Sequence, residues 1–372
     1  MNDFPNYFSN GIQNDTDFVW KEDEWAVSKV YKKGVMRMVP VDYNVWEKTS
    51  FKSIVKKIED AEDGTTGRNP PWEVLCLHRV PDCNRIVKPI QASYKGVNGN
   101  DCHTYNLIFK EYELGDMSKW RGEKFGNKHP AKTVPEAHLW RCLVHMTQAL
   151  AVVHNQTGST QKHPGTLIHR DIKPQNILVA DNGSAYPSFK LHDFGLSRVA
   201  YGREDRRGPG FSGTYIWQPP ESPYINTTYA DIWAVGALIH YLAFGEYLVE
   251  PMRPNWVDDL DEEDMHEVQK YRNKYSSSHN WYLALGPRIV SPINLGEVSR
   301  ITKAEVMSLD KHMYKPKYSD RLNYWMMECL EFDPVERVTV ERLMKEMIPE
   351  ARAALLDLGG EKALTDFELV FE

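Results

Sequence analysis

The sequence Leu167–Val179, LIHRDIKPQNILV, and the sequence Phe189–Gly195, FKLHDFG, decide the fold of this chain. The first ends in an apolar run, ILV, that predicts a strand, and the second begins with a strand-like run, FKL. Residues 180–188 between them contain Asp, Asn, Gly, Ser and Pro, which favour a turn. A hairpin formed in this way brings Asn176 and Asp193 close together.

These two motifs, in this order and at this separation, resemble the catalytic loop and the metal-binding motif of the eukaryotic protein kinase family. The resemblance implies ATP-dependent phosphoryl transfer to a protein hydroxyl, with Mg²⁺ on the triphosphate. Asp171 would accept the proton of the substrate hydroxyl, and Lys173 would bring a cation near the transferred phosphate. Asn176 and Asp193 would supply the oxygen ligands that Mg²⁺ prefers. A lysine at position 173, with no Ala-Ala-Arg in the segment, resembles serine/threonine kinases more than tyrosine kinases.

Three later segments resemble structural motifs of the same family and extend the resemblance over about residues 25–345. They are Ser212–Glu221, Asp231–Gly236 and Asp333–Thr339. In the family they form the end of the activation segment, the start of a buried central helix, and a loop whose arginine pairs with the glutamate of the first motif. We therefore expect Glu221 and Arg337 to form a buried ion pair that supports the fold and takes no part in the chemistry.

The activation segment, Asp193–Glu221, carries Gly210 where the family usually has its phosphorylated residue. Glycine cannot be phosphorylated, so we expect activity without phosphorylation of this loop. Ser212 is the nearest alternative acceptor. The arginines of the loop could pair with an internal or substrate carboxylate, although exposed pairs of this kind contribute little.

The nucleotide-binding lysine of the family is predicted at Lys29, in the strand-like segment Trp25–Tyr31. Because strand side chains alternate between faces, Val27 shares the face of Lys29 and could cover the adenine. Glu73, at the start of a predicted helix over Trp72–Val80, would be the ion-pair partner of this lysine. The alternatives are an ordinary surface lysine and a solvated carboxylate at a helix start.

The glycine-rich loop that the family places before this strand is missing. Only Gly11 lies upstream, whereas family members use three glycines there so that backbone N–H groups can approach the phosphates. Either the loop has diverged or the first strands are absent. The stretch between Lys29 and Glu73, which includes the amphipathic segment Phe51–Ile58, is also longer than the family usually shows.

The segment Asn106–Tyr112 resembles the strand that enters the hinge between the two kinase lobes. Glu111 and Glu113 would flank the backbone groups that bind the adenine, and Asp116 could hold the ribose. Lys110 then borders the adenine pocket, and its burial would be costly unless its charge were paired or lost.

Periodicity predicts further elements. Apolar residues at spacings of three and four predict a long helix over Pro135–His154, with the proline in the first turn. Strands are predicted over Arg85–Ala92 and Thr104–Glu111, on either side of a turn-rich segment.

The composition is that of an ordinary globular protein. The 372 residues are 41% hydrophobic and 26% charged, which is enough to bury a sizeable core. The 45 basic and 52 acidic residues give a net charge of −7, which argues against a nucleic-acid partner bound by bulk charge. Five scattered cysteines without a CxxC pair predict neither a zinc site nor a disulfide framework. Because no signal peptide or membrane-spanning run is visible, we expect a cytoplasmic or nuclear protein that is not secreted and has no membrane partner.

The sequence thus predicts an α+β fold of the two-lobed protein-kinase type, with a small β-rich lobe and a larger, mainly helical lobe. The expected boundaries are an N-terminal extension over 1–20, the small lobe over 21–112, the large lobe over 113–350 and a C-terminal tail over 351–372. The expected function is ATP-dependent phosphorylation of serine or threonine in protein substrates. The alternatives are a pseudokinase that binds nucleotide or acts as a scaffold, and a small-molecule kinase of related fold, which Arg170 and the segment Gly213–Glu221 argue against.

Overall fold

The computed structural model describes residues 22–42, 53–59, 71–95, 104–126, 132–158, 165–200, 213–221, 227–249, 288–295 and 317–371. These residues form two lobes, as predicted: a five-stranded sheet with one short helix, and a larger, mainly helical lobe. The predicted N-terminal extension over 1–20, and Gly210, Ser212 and the loop arginines 203, 206 and 207, lie outside the described residues. No helix in the described ranges is long and apolar enough to cross a bilayer.

The strands are β1 (Trp25–Lys32), β2 (Val35–Pro40), β3 (Ser53–Glu59), β4 (Gln91–Lys95), β5 (Thr104–Lys110), β6 (Thr166–Ile168), β7 (Ile177–Ala180), β8 (Ser188–Leu191) and β9 (Arg198–Ala200). The helices are α1 (Trp72–Arg79), α2 (Met117–Phe125), α3 (Glu136–Val153), α4 (Thr228–Phe244), α5 (Asp320–Cys329), α6 (Val340–Arg342) and α7 (Ile348–Gly359). A single π-helical turn, Leu343–Met347, joins α6 to α7.

The small lobe is an antiparallel sheet in the order β1-β2-β3-β5-β4. Trp25, Met38, Val55 and Ile108 form the small apolar core on one face. The first strands are therefore present, and the alternative that the chain lacks them is wrong. The segment predicted only as amphipathic, Phe51–Ile58, contributes the central strand β3.

The connection between α1 and β4 differs from the prediction, which had a strand over Arg85–Ala92. The strand begins only at Gln91. Before that point the backbone bonds to β8 of the large lobe: the N–H of Val87 donates to the carbonyl of Leu191, and the N–H of Leu191 donates to the carbonyl of Arg85. These backbone groups find their partners in the large lobe, so they cannot join the small-lobe sheet.

The large lobe is built around two buried helices. Every residue of α3 after Glu136 is buried, and so is every residue of α4 from Ala230 to Phe244, as expected for helices inside a protein. The helix α4 lies so close to α5 that a Cβ at Gly236 would come within 2.8 Å of the Cβ of Cys329. The predicted hairpin is present as β7 and β8, with Ile177 opposite Leu191.

The expected pair of Glu221 and Arg337 is also present. The two guanidinium Nη atoms of Arg337 donate to the carboxylate of Glu221 at 2.7 and 3.0 Å. The arginine side chain is fully buried, and it also donates to backbone carbonyls at Glu331 and Tyr229. The pair therefore ties the end of the activation segment to the loop between α5 and α6.

We predict that Glu221→Gln lowers the free energy of unfolding by about 3–5 kcal/mol, because it leaves the Arg337 charge buried without its carboxylate. The control Glu336→Gln removes an equal charge from an exposed position beside Arg337. Urea unfolding of both variants measures the difference. Equal stability of the two variants would contradict a buried pair.

The last residues, predicted as a tail over 351–372, are instead an ordered part of the fold up to residue 371. Helix α7 is followed by a short 3₁₀ helix, Gly360–Leu364, and the chain then returns across α3. Ala351, Leu355 and Phe367 are buried in the same core as α3 and α4. We refer to Asp366–Val370 as the C-terminal clamp because of what it holds.

The C-terminal clamp binds the connection between α1 and β4. Arg85, which is fully buried, donates to the carboxylate of Asp366 at 3.0 Å and to the backbone carbonyls of Asp366 and Glu368 at 2.6 and 2.8 Å. Asn84 forms two hydrogen bonds with the backbone of Val370. Its N–H donates to the carbonyl of Val370, and its side-chain oxygen accepts the N–H of Val370. Gln148 of α3 accepts a further bond from Arg85, so the small-lobe connection, the clamp and α3 meet at one guanidinium.

We predict that Asp366→Asn lowers the free energy of unfolding by about 3 kcal/mol, because Arg85 loses its counter-charge inside the protein. Asparagine keeps the shape and tolerates the left-handed backbone conformation of this residue (φ 55°). The control is Asp357→Asn on the exposed face of α7. Hydrogen exchange should increase at residues 80–90 in the first variant only, and equal exchange in both variants would show that the clamp does not hold this connection.

Candidate active site

A cleft of about 310 Å³ lies between the sheet and the large lobe. Its roof comes from β1, β2 and β3, its rear from the segment after β5, and its floor from β7 and the residues that follow β8. The charged side chains that line it are Lys32, Lys56, Glu73, Lys110, Glu111, Glu113, Asp116, Lys119 and Asp193. The cleft therefore combines apolar side chains with a concentration of charge, which is typical of a binding site for a polar ligand.

Lys56 of β3 is the lysine at the centre of this cleft. Its Nζ atom lies 2.6 and 2.9 Å from the two carboxylate oxygens of Glu73 and 3.0 Å from Oδ1 of Asp193. Burial alone would lower the pKa of Lys56, but the two carboxylates raise it above its ordinary value. Burial would likewise raise the pKa of Asp193, yet Lys56 holds it at about 2. The lysine and the aspartate thus carry opposite charges at neutral pH.

The prediction that Lys29 pairs with Glu73 is wrong. Lys29 lies exposed on β1, where its ammonium stands over the Tyr31 ring at 4.8 Å. Glu73 itself is where the prediction required it, in the first turn of α1 and buried against the cleft. The alternative of a solvated Glu73 is therefore also wrong.

The sequence contains a motif that identifies Lys56, but the spacing of the isoleucines around it also fits a helix and obscured the motif. In Ile54-Val55-Lys56 an apolar pair precedes the lysine, as in the V-A-I-K motif of the family. Ile54 and Ile58 are four residues apart, which suits a helix face, but as alternate residues Ile54, Lys56 and Ile58 equally form one face of a strand. Ile54 lines the cleft together with Lys56, as strand geometry requires.

The catalytic-loop residues form a closed set of contacts around Asp171. The hydroxyl of Thr214 donates to Oδ1 of Asp171 at 2.8 Å, and Asn176 donates to Oδ2 at 2.9 Å. Lys173 lies 2.7 Å from Oδ2 and donates to the Thr214 hydroxyl at 2.8 Å. Thr214 comes to Asp171 from the far end of the activation segment.

The backbone of this loop is held by Asp231 at the start of α4. Its carboxylate accepts the N–H groups of His169 and Arg170 at 2.8 and 2.9 Å and bonds Nε2 of His154 at 2.9 Å. Burial would raise the pKa of Asp231, but the hydrogen bonds from the histidines keep it below its ordinary value. Arg170 has a left-handed backbone (φ 68°), and its carbonyl lies so close to Gly213 that a Cβ there would come within 2.1 Å.

Asn176 and Asp193 are neighbours, as the hairpin prediction required. The N–H of His192 donates to the carbonyl of Asn176 at 3.1 Å, which fixes the two segments side by side. The next residue, Phe194, is fully buried and its ring meets that of His169 edge to face at 4.9 Å. This packing anchors the left-handed backbone of Asp193 (φ 66°) in the cleft.

The predicted hinge follows β5 and lines the rear of the cleft. Glu111 turns to the sheet, where Arg37 of β2 donates to its Oε1 at 2.6 and 2.8 Å and the Tyr31 hydroxyl donates at 3.2 Å. Asp116 lines the cleft and also caps α2 by accepting the N–H of Lys119. Lys110 lies exposed at the end of β5, so the cost expected for burying it does not arise.

The donor set fits a magnesium ion that a nucleotide brings with it. Among the described residues no group of three or more His, Cys, Asp or Glu side chains could enclose a metal. Mg²⁺ does not need such a cage, because it is usually bound by one or two protein oxygens together with phosphates and waters. Asp193 would offer a carboxylate, and Asn176 would offer its amide oxygen, since its nitrogen is used on Asp171.

Comparisons with known proteins agree with this geometry. A family profile described as protein kinase domain matches residues 41–347, well over half of the chain. Similar proteins include the probable serine/threonine-protein kinase nek2 of Dictyostelium discoideum (28% identical over 216 residues, 53% of this chain and 46% of that protein). Others are the cyclin-dependent kinase E-1 (24% over 306 residues, 78% and 59%) and the mitogen-activated protein kinase kinase 2 (25% over 229 residues, 60% and 54%), both of Arabidopsis thaliana. The chain spans about half the length of these relatives, and the C-terminal clamp lies beyond the residues matched by the family profile.

Proposed function

This chain belongs to the protein kinase family, and from that premise we propose that it is an active serine/threonine kinase. It would transfer the γ-phosphate of ATP to a hydroxyl group of a protein substrate, with Mg²⁺ as the metal. The observation that carries the proposal is the closed set of contacts among Asp171, Lys173, Asn176 and Thr214. These contacts fix the orientation of the Asp171 carboxylate, as a general base requires.

Asp171 is the residue suited to accept the proton of the substrate hydroxyl. It is an acceptor at both oxygens, it is largely buried, and Thr214 and Asn176 fix the direction of its carboxylate. Lys173 adds a positive charge next to that carboxylate, where it can attract the transferred phosphate. In phosphoryl transfer the protein contributes mainly such positioning and charge stabilisation.

The nucleotide would lie across the cleft, with its base near the segment after β5 and its phosphates near Lys56. The backbone between Glu111 and Glu113 is the candidate for binding adenine, and Asp116 is the candidate for the ribose. Asn176 and Asp193 are the candidate Mg²⁺ ligands, and the bound ion would neutralise charge on the phosphates. Lys56, held in place by Glu73, takes the role that the sequence had assigned to Lys29.

We expect this activity to be independent of phosphorylation in the activation segment. Two features that depend on an ordered site are already formed, namely the Lys56–Glu73 pair and the hydrogen bond from Thr214 to Asp171. Arg170 already uses its Nε to donate to the carbonyl of Leu196 at 2.6 Å. Nothing in these contacts requires an added phosphate.

A pseudokinase is the second candidate function, and one observation favours it. The turn between β1 and β2 consists of Lys33 and Gly34 alone, so the loop of three glycines that covers phosphates in the family has no counterpart here. Such a protein would bind nucleotide weakly or not at all, and would act by contact with a partner.

Phosphotransfer to casein or histone with radiolabelled ATP and Mg²⁺ distinguishes the two candidates. We predict that Asp171→Asn lowers the rate by about 10²–10⁴-fold, the usual contribution of a general base. Asp357→Asn, which makes the same change on the surface of α7, serves as the control. Equal rates in the wild type and Asp171→Asn would exclude catalysis at this site, and no incorporation above background would favour the pseudokinase.

A second pair of variants tests which lysine belongs to the site. We predict that Lys56→Met lowers the phosphotransfer rate by about 10²–10³-fold, as expected when one fixed charge-stabilising group is lost. Lys29→Met keeps the wild-type rate, because Lys29 lies exposed outside the cleft. The reverse result would return the nucleotide-binding role to Lys29.

A further inference from the structure

The turn between β1 and β2, the hairpin tip, lies over the end of the cleft where the phosphates would bind. It offers few backbone N–H groups to a ligand. Strand β1 ends at Lys32, β2 begins at Val35, and the turn holds one glycine. The carbonyl of Gly34 accepts the N–H of Lys57 at 2.6 Å, so the tip is bonded to β3 beside Lys56. A turn this short and this firmly attached cannot wrap a triphosphate with N–H groups in the way that a longer glycine loop does.

A β-bulge instead directs two successive side chains of β1 into the cleft. In a regular strand Tyr31 and Lys32 would point to opposite faces. The register between β1 and β2 shifts between Val30 and Lys32, and both Tyr31 and Lys32 line the cleft. Bulges of this kind re-aim side chains near functional sites. The Tyr31 hydroxyl reaches Glu111 at the rear, whereas Lys32 ends the strand at the hairpin tip, where Gly34 is bonded to Lys57 beside Lys56.

The charged side chains around Lys56 indicate what Lys32 could contribute to ligand binding. Lys56 faces two carboxylates, Glu73 and Asp193, so this cluster alone carries an excess negative charge. Lys32 lines the same cleft as Glu73 and Asp193, so its ammonium faces the space beside this cluster. Mg²⁺ bound at Asp193 would offset this charge on the floor of the cleft, whereas a lysine at the hairpin tip would face the phosphates from the roof.

We propose that Lys32 is a phosphate-binding residue, whose ammonium replaces the backbone N–H groups of the missing glycine-rich loop. The inference rests on the proposed ATP-dependent function and deepens it, because it names the group that binds the β- and γ-phosphates from the roof. A flexible ammonium suits this role, since it can follow a phosphate as a mobile point charge. The site would then recognise nucleotides by charge at the hairpin tip, where the family uses backbone amides.

The test is equilibrium binding of adenosine, ADP and ATP, each with Mg²⁺, to the full chain and its variants. Lys32→Ala and Lys32→Gln should weaken ATP binding by about 10- to 100-fold, the effect of losing one charge-assisted hydrogen bond. Both should leave adenosine binding unchanged, which also reports that the cleft is intact. Lys32→Arg should restore most of the ATP affinity. The matched control is Lys29→Ala, which removes the same charge from an exposed position on the same strand.

Wild-type affinity for ATP in Lys32→Ala and Lys32→Gln would overturn the inference and leave the proposed kinase function standing. An equal loss for adenosine and ATP would also overturn it, because the effect would then be on the shape of the cleft. If the wild type binds none of the three ligands, the proposed function and the inference both fail. A loss confined to ATP and ADP, larger at low than at high salt, would support Lys32 as the phosphate contact.

Discussion

The carboxylate of Asp231 reaches from the start of α4 to the backbone of the catalytic loop, where it accepts the N–H groups of His169 and Arg170. A buried carboxylate is costly unless donors surround it, and here three donors do so. This one side chain holds the backbone at Arg170, which is left-handed and immediately precedes Asp171. Because Asp231 belongs to a buried helix of the large lobe, the backbone before Asp171 is attached to the core of that lobe.

The small lobe reaches the same cleft by different means. Its share of the site depends on an ion pair, Lys56 with Glu73, carried by a strand and a helix of only eight residues. A helix of that length is marginal alone and depends on tertiary contacts. The contacts come from both ends: Trp72 donates to the carbonyl of Ser197, and the connection after α1 is bonded to β8 and to the C-terminal clamp. The large lobe therefore supports the position of Glu73 as well as that of Asp171.

The sequence predicted those parts of the molecule whose motifs lie within one short stretch of the chain. The residues of the catalytic loop, the hairpin and the central helix lie within short stretches with a fixed spacing, so their pattern and their proximity could be read together. Lys56 was missed because a strand of seven residues with isoleucines four apart also fits a helical period. The bulge before Lys32 was equally invisible, since register is set by the partner strand and by turn geometry.

The role of the final residues could not be predicted for a different reason. Arg85 and Asp366 are 281 positions apart, and no local propensity links a buried arginine to an aspartate at that distance. The family resemblance gave no help either, because it ended near residue 345. Only the folded chain reveals that Asp366–Val370 supplies the acceptors that Arg85 needs.

The C-terminal clamp has a consequence for the order in which the molecule assembles. Contacts between residues so far apart in the chain close a very large loop, and such contacts are entropically costly until much of the intervening chain is already compact. We therefore expect Arg85 to be enclosed only after α3 and Gln148 are in position. On this expectation, the contacts that hold the connection after α1 form late in folding. A domain boundary drawn at residue 347, where the family profile stops, would remove the clamp residues that make these contacts.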